Sequence, residues 1–588
     1  MPSFPRHIPA LAVALLLAAP APAQAQPAPA QASAPAPAPV RAAPPATTPA
    51  LWVYTPVNFQ VNEAVDRLHT LLRRARDAGY SAAVVTDYKF GRLSDRPAHY
   101  YKNIARTVEH ARGLGVELIP CVMPMGYSGS LLQNDPDLAE GLPVRGCEFI
   151  ANQGQASVAD RSNLLPGGDF EKGERLKPAG WDWIDGWGVS ATLDGQVKRG
   201  GASSLRMAGM DRVPEQVNSR VVRKLALKPF HQYRLSLWAR TESLGNAPEF
   251  RAAVLVGGHS LNHANLGLKP NQDWTLHEVA FNSLEHTQAS LYLGVWGVGP
   301  GRLWLDDVAL RVAGGVNLIR REGCPLTVVD AASDLAYEEG RDFEPWTNPQ
   351  TGRLPWPGEF SAATDEPPIR LKAGGRIAPG TRLKVSYSHT QTVYDGQVAS
   401  CLTHPRVYEL MREEVAGVKR LFAPKRYMMQ HDELRLANQC DLCRSRGLSP
   451  GALLADNVKR CAAILREADP AAGVLVWSDM FDPHHNAVNG YYLVRGTLSG
   501  AWEGLDPAVT LVNWNHGKAA DSLRFFDERG HAQVVAGYCD HAGVEAHHAA
   551  WARAAQGLKP PGVRAWIYTT WRGDYTHLER YAKAVRGG

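Results

Sequence analysis

The sequence predicts an α/β fold in which a (β/α)8 barrel is interrupted after its third strand by an antiparallel β-sandwich. Three observations lead to this prediction. Apolar runs alternate with amphipathic helical patterns near both ends of the chain, which indicates a parallel sheet. The middle of the chain instead alternates apolar and polar residues between Gly and Pro, which favours antiparallel strands. Three strands precede this middle part and five follow it, and together they make the eight that a barrel needs.

The first barrel part is assigned to residues 51–160. Its strands are predicted at 51–55, 81–86 and 116–120, with helices between them at 63–79 and 100–113. In the first helix, Val65, Leu68 and Leu72 are three and four residues apart, as one buried helix face requires. Strand, helix, strand in this order is the pattern of parallel βαβ units.

The sandwich is assigned to residues 161–313, followed by a small β subdomain at 314–392. The motifs Asn163-Leu-Leu-Pro-Gly-Gly-Asp-Phe-Glu171 and Leu303-Trp-Leu-Asp-Asp-Val308 resemble a jelly-roll carbohydrate-binding module. That resemblance implies Glu171 and Asp306 as candidate ligands of a structural calcium ion. Either the sandwich binds sugar or it only braces the barrel. An alternative for residues 383–388 of the small subdomain is that they form a barrel strand.

The second barrel part is assigned to residues 393–588. Strands are predicted at 426–429, 473–477, 509–514, 533–538 and 563–568, and helices at 407–421 and 453–468. The fourth strand of the barrel ends on His431, Asp432 and Glu433. Adjacent carboxylates in a cleft push one pKa up, so that one acid and one carboxylate coexist near neutral pH. This pair predicts a glycoside hydrolase with Glu433 as the acid.

Polar and aromatic residues also follow the other four strands of this part. Because carboxyl ends of barrel strands face the active site, these residues are predicted to wall a sugar-binding pocket. With His431, the predicted substrate-binding residues are Trp477, Asp479, Trp514, Tyr538, Asp540 and Trp571.

Barrel strands three to eight resemble glycoside hydrolase family 20, the β-N-acetylhexosaminidases. The likeness lies in Gln430-His-Asp-Glu433, in Val476-Trp-Ser-Asp-Met480, in Tyr538-Cys-Asp540 and in the strand-three segment Ile119-Pro-Cys-Val-Met-Pro-Met-Gly-Tyr127. The chain departs from the family pattern at Cys121, where Glu is usual, and lacks the strand-one Arg.

The resemblance implies a retaining, substrate-assisted mechanism on β-linked N-acetylhexosamine glycans. Glu433 would be the general acid/base, and Asp432 would orient the 2-acetamido group, whose oxygen attacks the anomeric carbon. No cofactor is expected for catalysis. Three alternatives stay open: a divergent glycosidase on a non-acetylated glycan, a non-catalytic glycan-binding protein, and a metal-dependent deacetylase using His431, Asp432 and nearby His484, His485 or His541.

Composition and the termini add further expectations. The net charge is +5 over 588 residues without a basic, aromatic-rich run, so no nucleic-acid partner is expected. Residues 1–25 have the pattern of a signal peptide and 26–50 that of a Pro/Ala-rich tether, which predicts a periplasmic or extracellular protein. No later stretch reads as a membrane span. The expected partner is an oligo- or polysaccharide, and the oligomeric state is left open.

Eight cysteines in an exported chain could pair as disulfides. Cys440-Asp-Leu-Cys443 has three interpretations: half of a zinc site, a redox pair or a structural element. Neither a second Cys-x-x-Cys nor a His-x3-His follows at zinc spacing, and no thioredoxin-like context surrounds the motif. The structural interpretation is favoured, with Cys461 or Cys401 as the expected disulfide partner.

Overall fold

The computed structural model describes residues 49–173, 178–213, 215–245, 250–559 and 562–587. The predicted signal peptide and most of the predicted tether lie outside these residues. The first part of the chain forms alternating strands and helices. These are β1 (Ala50–Pro56), α1 (Asn62–Asp77), β2 (Ala82–Thr86), α2 (Ala98–Leu114), β3 (Glu117–Val122) and the short α3 (Gly129–Leu132).

Antiparallel strands follow in the chain. β4 (Leu142–Asn152) and β5 (Gln155–Val158) form a hairpin, and ten strands then form two five-stranded sheets. The ten strands are β6 (Trp183–Ile184), β7 (Ala191–Asp194), β8 (Ser204–Ala208), β9 (Ser219–Ala226), β10 (Gln232–Glu242), β11 (Phe250–Val256), β12 (His259–Asn265), β13 (Gln272–Asn282), β14 (Gln288–Val295) and β15 (Arg302–Ala313). One sheet has the strand order β13-β10-β15-β8-β7, and the other has the order β12-β11-β14-β9-β6.

A third antiparallel sheet has seven strands. It joins the hairpin β4–β5 to β16 (Leu318–Ile319), β17 (Thr327–Asp330), β18 (Ala336–Tyr337), β19 (Ile369–Arg370) and β20 (Arg382–His389). Two sequence expectations change here. The strand at 383–388 pairs antiparallel with β4 and is not a barrel strand. The hairpin at 142–158 belongs to this sheet although it precedes residue 160, because the alternating burial along β4 is that of a half-buried antiparallel strand.

The remaining strands complete the barrel. In chain order the elements are α4 (Pro405–Phe422), β21 (Arg426–Met429), β22 (Leu436–Ala437), α5 (Asp441–Arg444), α6 (Pro450–Ala468), β23 (Gly473–Trp477), β24 (Leu493–Val494), β25 (Thr510–Asn513), α7 (Ala519–Glu528), β26 (Gln533–Tyr538), α8 (Val544–Ala554), β27 (Val563–Thr569) and α9 (Leu578–Val585). Pro405 and Pro450 occupy the first turns of α4 and α6, where a missing N–H costs nothing.

Eight parallel strands close into a barrel in the order β1-β2-β3-β21-β23-β25-β26-β27. The prediction of a parallel eight-stranded barrel together with separate antiparallel sheets is therefore confirmed. The barrel interior is apolar and includes Trp52, Val84, Ile119, Met428 and Ile567. A second core lies on the barrel's outer side, where the buried faces of α1, α4 and α6 pack. No helix of the described residues is long and apolar enough to span a membrane.

Candidate active site

A large cleft opens at the carboxyl ends of the barrel strands. Its volume is about 2700 Å³. In this fold that face carries the active site, because the loops there vary without disturbing the barrel. All eight strands or the loops directly after them contribute to its lining, through residues such as Thr55, Thr86, Cys121, Asp432, Trp477, Trp514, Tyr538 and Thr569.

The segment after the fourth barrel strand reaches into this cleft. Glu433 has a φ of 48°, in the left-handed region that a residue with a side chain enters at an energetic cost. Gly126, in the loop after the third strand, lies against this turn. A Cβ at that position would lie 1.6 Å from the carbonyl oxygen of Asp432. Close packing of the two loops therefore holds a strained turn that presents two consecutive carboxyl groups to the cleft.

The Glu433 carboxylate is held by two side chains. One Arg435 guanidinium nitrogen lies 2.7 Å from its Oε1, and the Tyr127 hydroxyl donates to its Oε2 at 2.7 Å. Arg435 is itself buried and donates to the Gln397 side-chain oxygen at 2.6 Å. Tyr394 stacks over the guanidinium at 4.4 Å. A buried cation and a hydroxyl donor both favour the ionised form of Glu433.

The Asp479 carboxylate holds the backbone of Glu433 in place. Its Oδ2 accepts a hydrogen bond from the Glu433 backbone N–H at 2.8 Å and another from Asn486 Nδ2 at 2.9 Å. Its Oδ1 accepts from the Trp514 indole N–H at 3.3 Å. The side chain is fully buried and does not line the cleft. Asp479 therefore acts as a positioning residue for the backbone of the fourth-strand segment.

Asp432 has the opposite environment from Glu433. It lies in the cleft and is partly open to it, and among the described residues no cation forms an ion pair with its carboxyl group, although the charge of Arg435 exerts a smaller, opposing effect. Burial, and then the nearby charges of Asp479 and Glu433, raise the pKa of Asp432 well above its usual range. The surroundings therefore favour a carboxylic acid at Asp432 and a carboxylate at Glu433, which is the division of labour that acid/base catalysis on a sugar requires.

Aromatic rings surround these carboxyl groups. Trp477 and Trp571 both pack edge-on against Tyr54, with ring centroids 6.1 and 5.5 Å from it. Trp514 and Tyr538 line the cleft on the neighbouring strands. Flat apolar rings beside a few polar groups are typical of pockets that hold a sugar ring.

The structure brings six of the nine predicted catalytic and substrate-binding residues to the cleft lining. These are Asp432, Glu433, Trp477, Trp514, Tyr538 and Trp571. It does not bring His431, Asp479 or Asp540 there. His431 is fully buried, and its Nε2 lies 3.0 Å from Asn457 on α6. Burial lowers the pKa of His431 to about 4, so it stays neutral.

Asp540 supports a neighbouring loop. It accepts hydrogen bonds from the Thr570 hydroxyl and, at 2.7 Å, from the Trp571 backbone N–H. It therefore fixes Trp571, which lines the cleft, and is a positioning residue. Tyr538 and Asp540 are two residues apart, a spacing that places both side chains on one face of a strand, but Asp540 lies beyond the end of β26, where this rule no longer holds.

Some site residues were not predicted. Arg435 lies two residues after Glu433, and a basic residue so close in sequence to a candidate acid is a signal that was available. Tyr127 and Gln397 come from loops distant in sequence, and no local pattern points to them. Glu414 on α4 also lines the cleft; it accepts from the Met123 N–H at 2.9 Å, and burial raises its pKa to about 7.

A calcium site was predicted in the sandwich, and a metal site at the barrel with His431, Asp432 and a nearby histidine was left open as an alternative. In the sandwich, Glu171 accepts from the Ala202 N–H at 2.6 Å, and Asp306 accepts from the Arg199 N–H at 2.9 Å. Both carboxylates thus hold the turn at 199–203, and the calcium site stays a prediction. Among the described residues, one group of His, Cys, Asp or Glu side chains has metal-binding spacing, and it contains no histidine: Glu140, Cys401, Cys440 and Cys443.

The comparison with known proteins is sparse. No protein family model matches this sequence, and no curated protein matches it either. The chain is similar to the solved rhamnosidase from Novosphingobium sp. PP1Y, at 13% identity and a TM-score of 0.30, over 92% of this chain and 58% of that one.

Two carbohydrate-binding modules match a quarter of the chain. A family 16 module has 19% identity and a TM-score of 0.21, over 25% of this chain and 99% of that one. The CBM22-1 xylan-binding domain of Paenibacillus barcinonensis Xyn10C has 17% identity and a TM-score of 0.20, over 26% and 97%. Likenesses at these TM-scores carry no functional argument. The case for a function therefore depends on the cleft.

Proposed function

We propose that this protein is a glycoside hydrolase that acts in the barrel cleft, with Asp432 as proton donor and Glu433 as its ionised partner. The observation that carries the proposal is the contrast between two consecutive carboxyl groups. Asp432 has buried surroundings and negative neighbours, whereas Glu433 has a guanidinium and a hydroxyl within 2.7 Å. Aromatic rings around both groups complete a site suited to sugars.

The chemistry follows from the two protonation states. The Asp432 proton goes to the glycosidic oxygen as its bond to the anomeric carbon breaks, and positive charge develops on the sugar. The Glu433 carboxylate stabilises that charge, either by bonding to the anomeric carbon or by taking a proton from the attacking water. In the covalent route, the Asp432 carboxylate regains its proton from the water that hydrolyses the glycosyl-enzyme bond. In the water-attack route, Glu433 holds the proton of the water and Asp432 is left ionised, and proton exchange with solvent restores both groups.

The resemblance to family 20 implies the reverse assignment, with Glu433 as the acid and a 2-acetamido group as nucleophile. Asp432 and Tyr538 both line the cleft, as that route requires. The contacts of Arg435 and Tyr127, however, favour a carboxylate at Glu433 over a carboxylic acid. The β-N-acetylhexosamine substrate, the retaining outcome and the export of the protein remain predictions, to be decided by substrate and variant together.

The test is a panel of aryl glycosides with leaving groups of different acidity. Purified protein is assayed on the nitrophenyl and the dinitrophenyl glycosides of four sugars. These are β-N-acetylglucosaminide, β-N-acetylgalactosaminide, β-glucoside and α-rhamnoside. Asp432→Asn is expected to lose 10²- to 10⁴-fold on the nitrophenyl substrate. It should keep most activity on the dinitrophenyl substrate, whose leaving group needs no proton. Glu433→Gln should lose activity on both.

The other outcomes assign other functions. The opposite pattern between the two variants would make Glu433 the acid, as the family resemblance implies. Turnover of only the N-acetyl substrates would support acetamido participation, and turnover of the others would exclude a required role for it. Glycan affinity that survives Glu433→Gln, with no turnover on any substrate or polysaccharide, would replace the proposal by the non-catalytic binding function.

A further inference from the structure

Three buried cysteines and one buried glutamate meet at one point outside the cleft. The ligand atoms of Glu140, Cys401, Cys440 and Cys443 all lie within 4.8 Å of one another. Cys401 Sγ lies 3.8 Å from Cys440 Sγ and 3.5 Å from Cys443 Sγ. A fourth buried cysteine, Cys324, lies beside this group. All four cysteines are free thiols in the structure, so the disulfide expected between the Cys-x-x-Cys motif and Cys401 or Cys461 is not formed. Cys461 lies elsewhere, with its sulfur 3.7 Å from Met411 Sδ.

The sulfur separations fit a metal site better than a disulfide. A disulfide needs sulfurs about 2.05 Å apart. A tetrahedral zinc ion with Zn–S bonds of about 2.3 Å places its sulfur ligands about 3.8 Å apart. The measured 3.5 and 3.8 Å agree with the second arrangement. The 3.5 Å between Glu140 Oε2 and Cys443 Sγ agrees with a zinc–oxygen bond of about 2.0 Å beside a zinc–sulfur bond.

We propose that Glu140, Cys401, Cys440 and Cys443 bind one zinc ion as a structural site. Each ligand binds in its deprotonated form and gives up any proton to solvent, so that three thiolates and one carboxylate surround the metal. The sequence spacing hides this site, since two ligands form a Cys-x-x-Cys pair whereas the other two come singly from distant loops. Zinc is the metal that closed, thiolate-rich tetrahedral sites in proteins most often take.

The surroundings suit a negatively charged cluster. Arg321 is buried beside it and held by the carbonyl oxygens of Asp137 and Ala139 at 2.8 and 3.0 Å. Its guanidinium balances part of the thiolate charge. Gly141 follows the Glu140 ligand directly, and an added Cβ there would lie 2.6 Å from Cys324 Sγ. A larger residue at this position would collide with Cys324 beside the cluster.

Glu140 uses its two carboxylate oxygens differently. Its Oε1 accepts from the backbone N–H groups of Gln439 and Cys440 at 2.7 and 2.9 Å, and its Oε2 lies 3.5 Å from Cys443 Sγ. Because Oε1 is already committed to the backbone, Oε2 is the oxygen that would bind the metal. Cys324 is the alternative fourth ligand, but it is not part of the group whose ligand atoms have metal-binding spacing among the described residues.

The site would join three parts of the chain. Glu140 precedes β4 of the seven-stranded sheet, Cys401 precedes α4, and Cys440 and Cys443 lie beyond the fourth barrel strand. The segment so fixed begins at Glu433, seven residues before Cys440. The zinc ion would therefore clip the loop that carries the cleft carboxyl groups onto the neighbouring sheet.

The test measures metal, not activity, so its result is independent of the proposed hydrolase. Protein purified without chelator is analysed for metals by inductively coupled plasma mass spectrometry, and thiols are counted after denaturation in EDTA. We expect one zinc per chain and eight titratable thiols. Cys443→Ser should lower the zinc content at least fivefold. Cys461→Ser, a buried cysteine outside the cluster, should leave it unchanged.

Two further results would overturn the proposal or its ligand assignment. A zinc content below 0.1 per chain with four to six titratable thiols would mean disulfides instead of a metal site. Retention of zinc in Glu140→Gln together with its loss in Cys324→Ser would make Cys324 the fourth ligand. If Cys443→Ser fails to fold, wild-type protein refolded with Co²⁺ decides: thiolate-to-cobalt charge-transfer bands are expected, and their absence would contradict the site.

Discussion

The barrel cleft and the β-sandwich use their aromatic residues differently. In the cleft, Trp477 and Trp571 line an open volume of about 2700 Å³. In the sandwich, the Trp304 indole is buried and donates to Asp194 at 3.0 Å. The Trp238 ring is covered by the Arg199 guanidinium at 4.0 Å. A tryptophan-rich composition alone therefore does not locate a sugar site, because a ring already covered by arginine has no face left for a ligand.

Charge separates the two regions in the same way. The cleft buries carboxyl groups whose pKa values are raised by that burial, as at Asp432 and Glu414. In the sandwich, burial also raises the pKa of Asp306, but this carboxyl group is taken up by the backbone N–H groups of Arg199 and Asp307. Glu242 pairs with Arg240 and Arg302 near solvent, at 3.0 and 3.1 Å. Exposed pairs of this kind contribute up to about 1 kcal/mol and do no chemistry. The difference points to the cleft as the reactive region.

The strongest way to break this comparison is to remove the buried cation. Arg435→Met keeps much of the side-chain volume but leaves the Glu433 carboxylate without its charge partner. Unpairing a buried ion costs about 3–5 kcal/mol of stability. We expect a clearly lower thermal midpoint in scanning calorimetry and a large loss of turnover.

The double variant Arg435→Met with Glu433→Gln is the control. It removes both charges, so it should recover most of the lost thermal stability without recovering activity. Equal destabilisation of the single and the double variant would mean that packing against Tyr394, not charge pairing, is the role of Arg435. In the sandwich, Arg240→Met should change the midpoint much less.

A second, smaller effect depends on pH. Burial raises the pKa of Glu414 from 4.5 to about 7 in the folded protein, so the fold favours the neutral form. Its contribution to stability is therefore complete below pH 4.5 and is lost as pH rises through 7. Glu414→Gln cannot ionise and avoids that loss, worth about 3 kcal/mol at pH 8. The difference in thermal midpoint between the variant and wild type should move in the variant's favour from pH 5 to pH 8.

Glu242→Gln in the sandwich is the matched control for this prediction. Its carboxylate is near solvent and ion-paired, so the same substitution should give a small difference that is constant over the same pH range. A flat pH profile for Glu414→Gln would mean that Glu414 is ionised in the fold at pH 5, against the burial argument.

The sequence predicted the barrel well because its strands and helices have local signatures. β21, β23 and β26 have the predicted bounds, since four to six apolar residues between helix patterns leave one assignment. The helices α7, α8 and α9 were not predicted. They are short, and α9 has only eight residues although its buried Leu578, Tyr581 and Ala582 have helical spacing. The hairpin at 142–158 was grouped with the barrel because nothing local reveals its pairing with β20.

The candidate site was predictable in part for a similar reason. Asp432 and Glu433 follow directly from their strand, but their different environments also depend on Tyr127 and Asp479, which come from distant parts of the chain. The group of three cysteines and Glu140 could not be predicted from spacing, because Glu140 and Cys401 have no partner nearby in sequence. In the sequence, Asp540 looks like a substrate-binding residue. The structure shows instead that its carboxylate accepts a hydrogen bond from the Trp571 backbone N–H.

The smallest expected effect compares two exposed tryptophans. Trp356 lines the cleft and is 64% exposed, whereas Trp183 in the sandwich is 59% exposed and donates to Asp185 at 2.8 Å. Each is replaced by Ala, and KM is measured on a small aryl glycoside and on an oligosaccharide of the same sugar. Trp356→Ala should raise KM for the oligosaccharide a few-fold and leave the small substrate unchanged, because one stacked ring contributes about 1 kcal/mol. Trp183→Ala should change neither. A rise in oligosaccharide KM only for Trp183→Ala would move the extended binding surface to the sandwich and reverse the comparison.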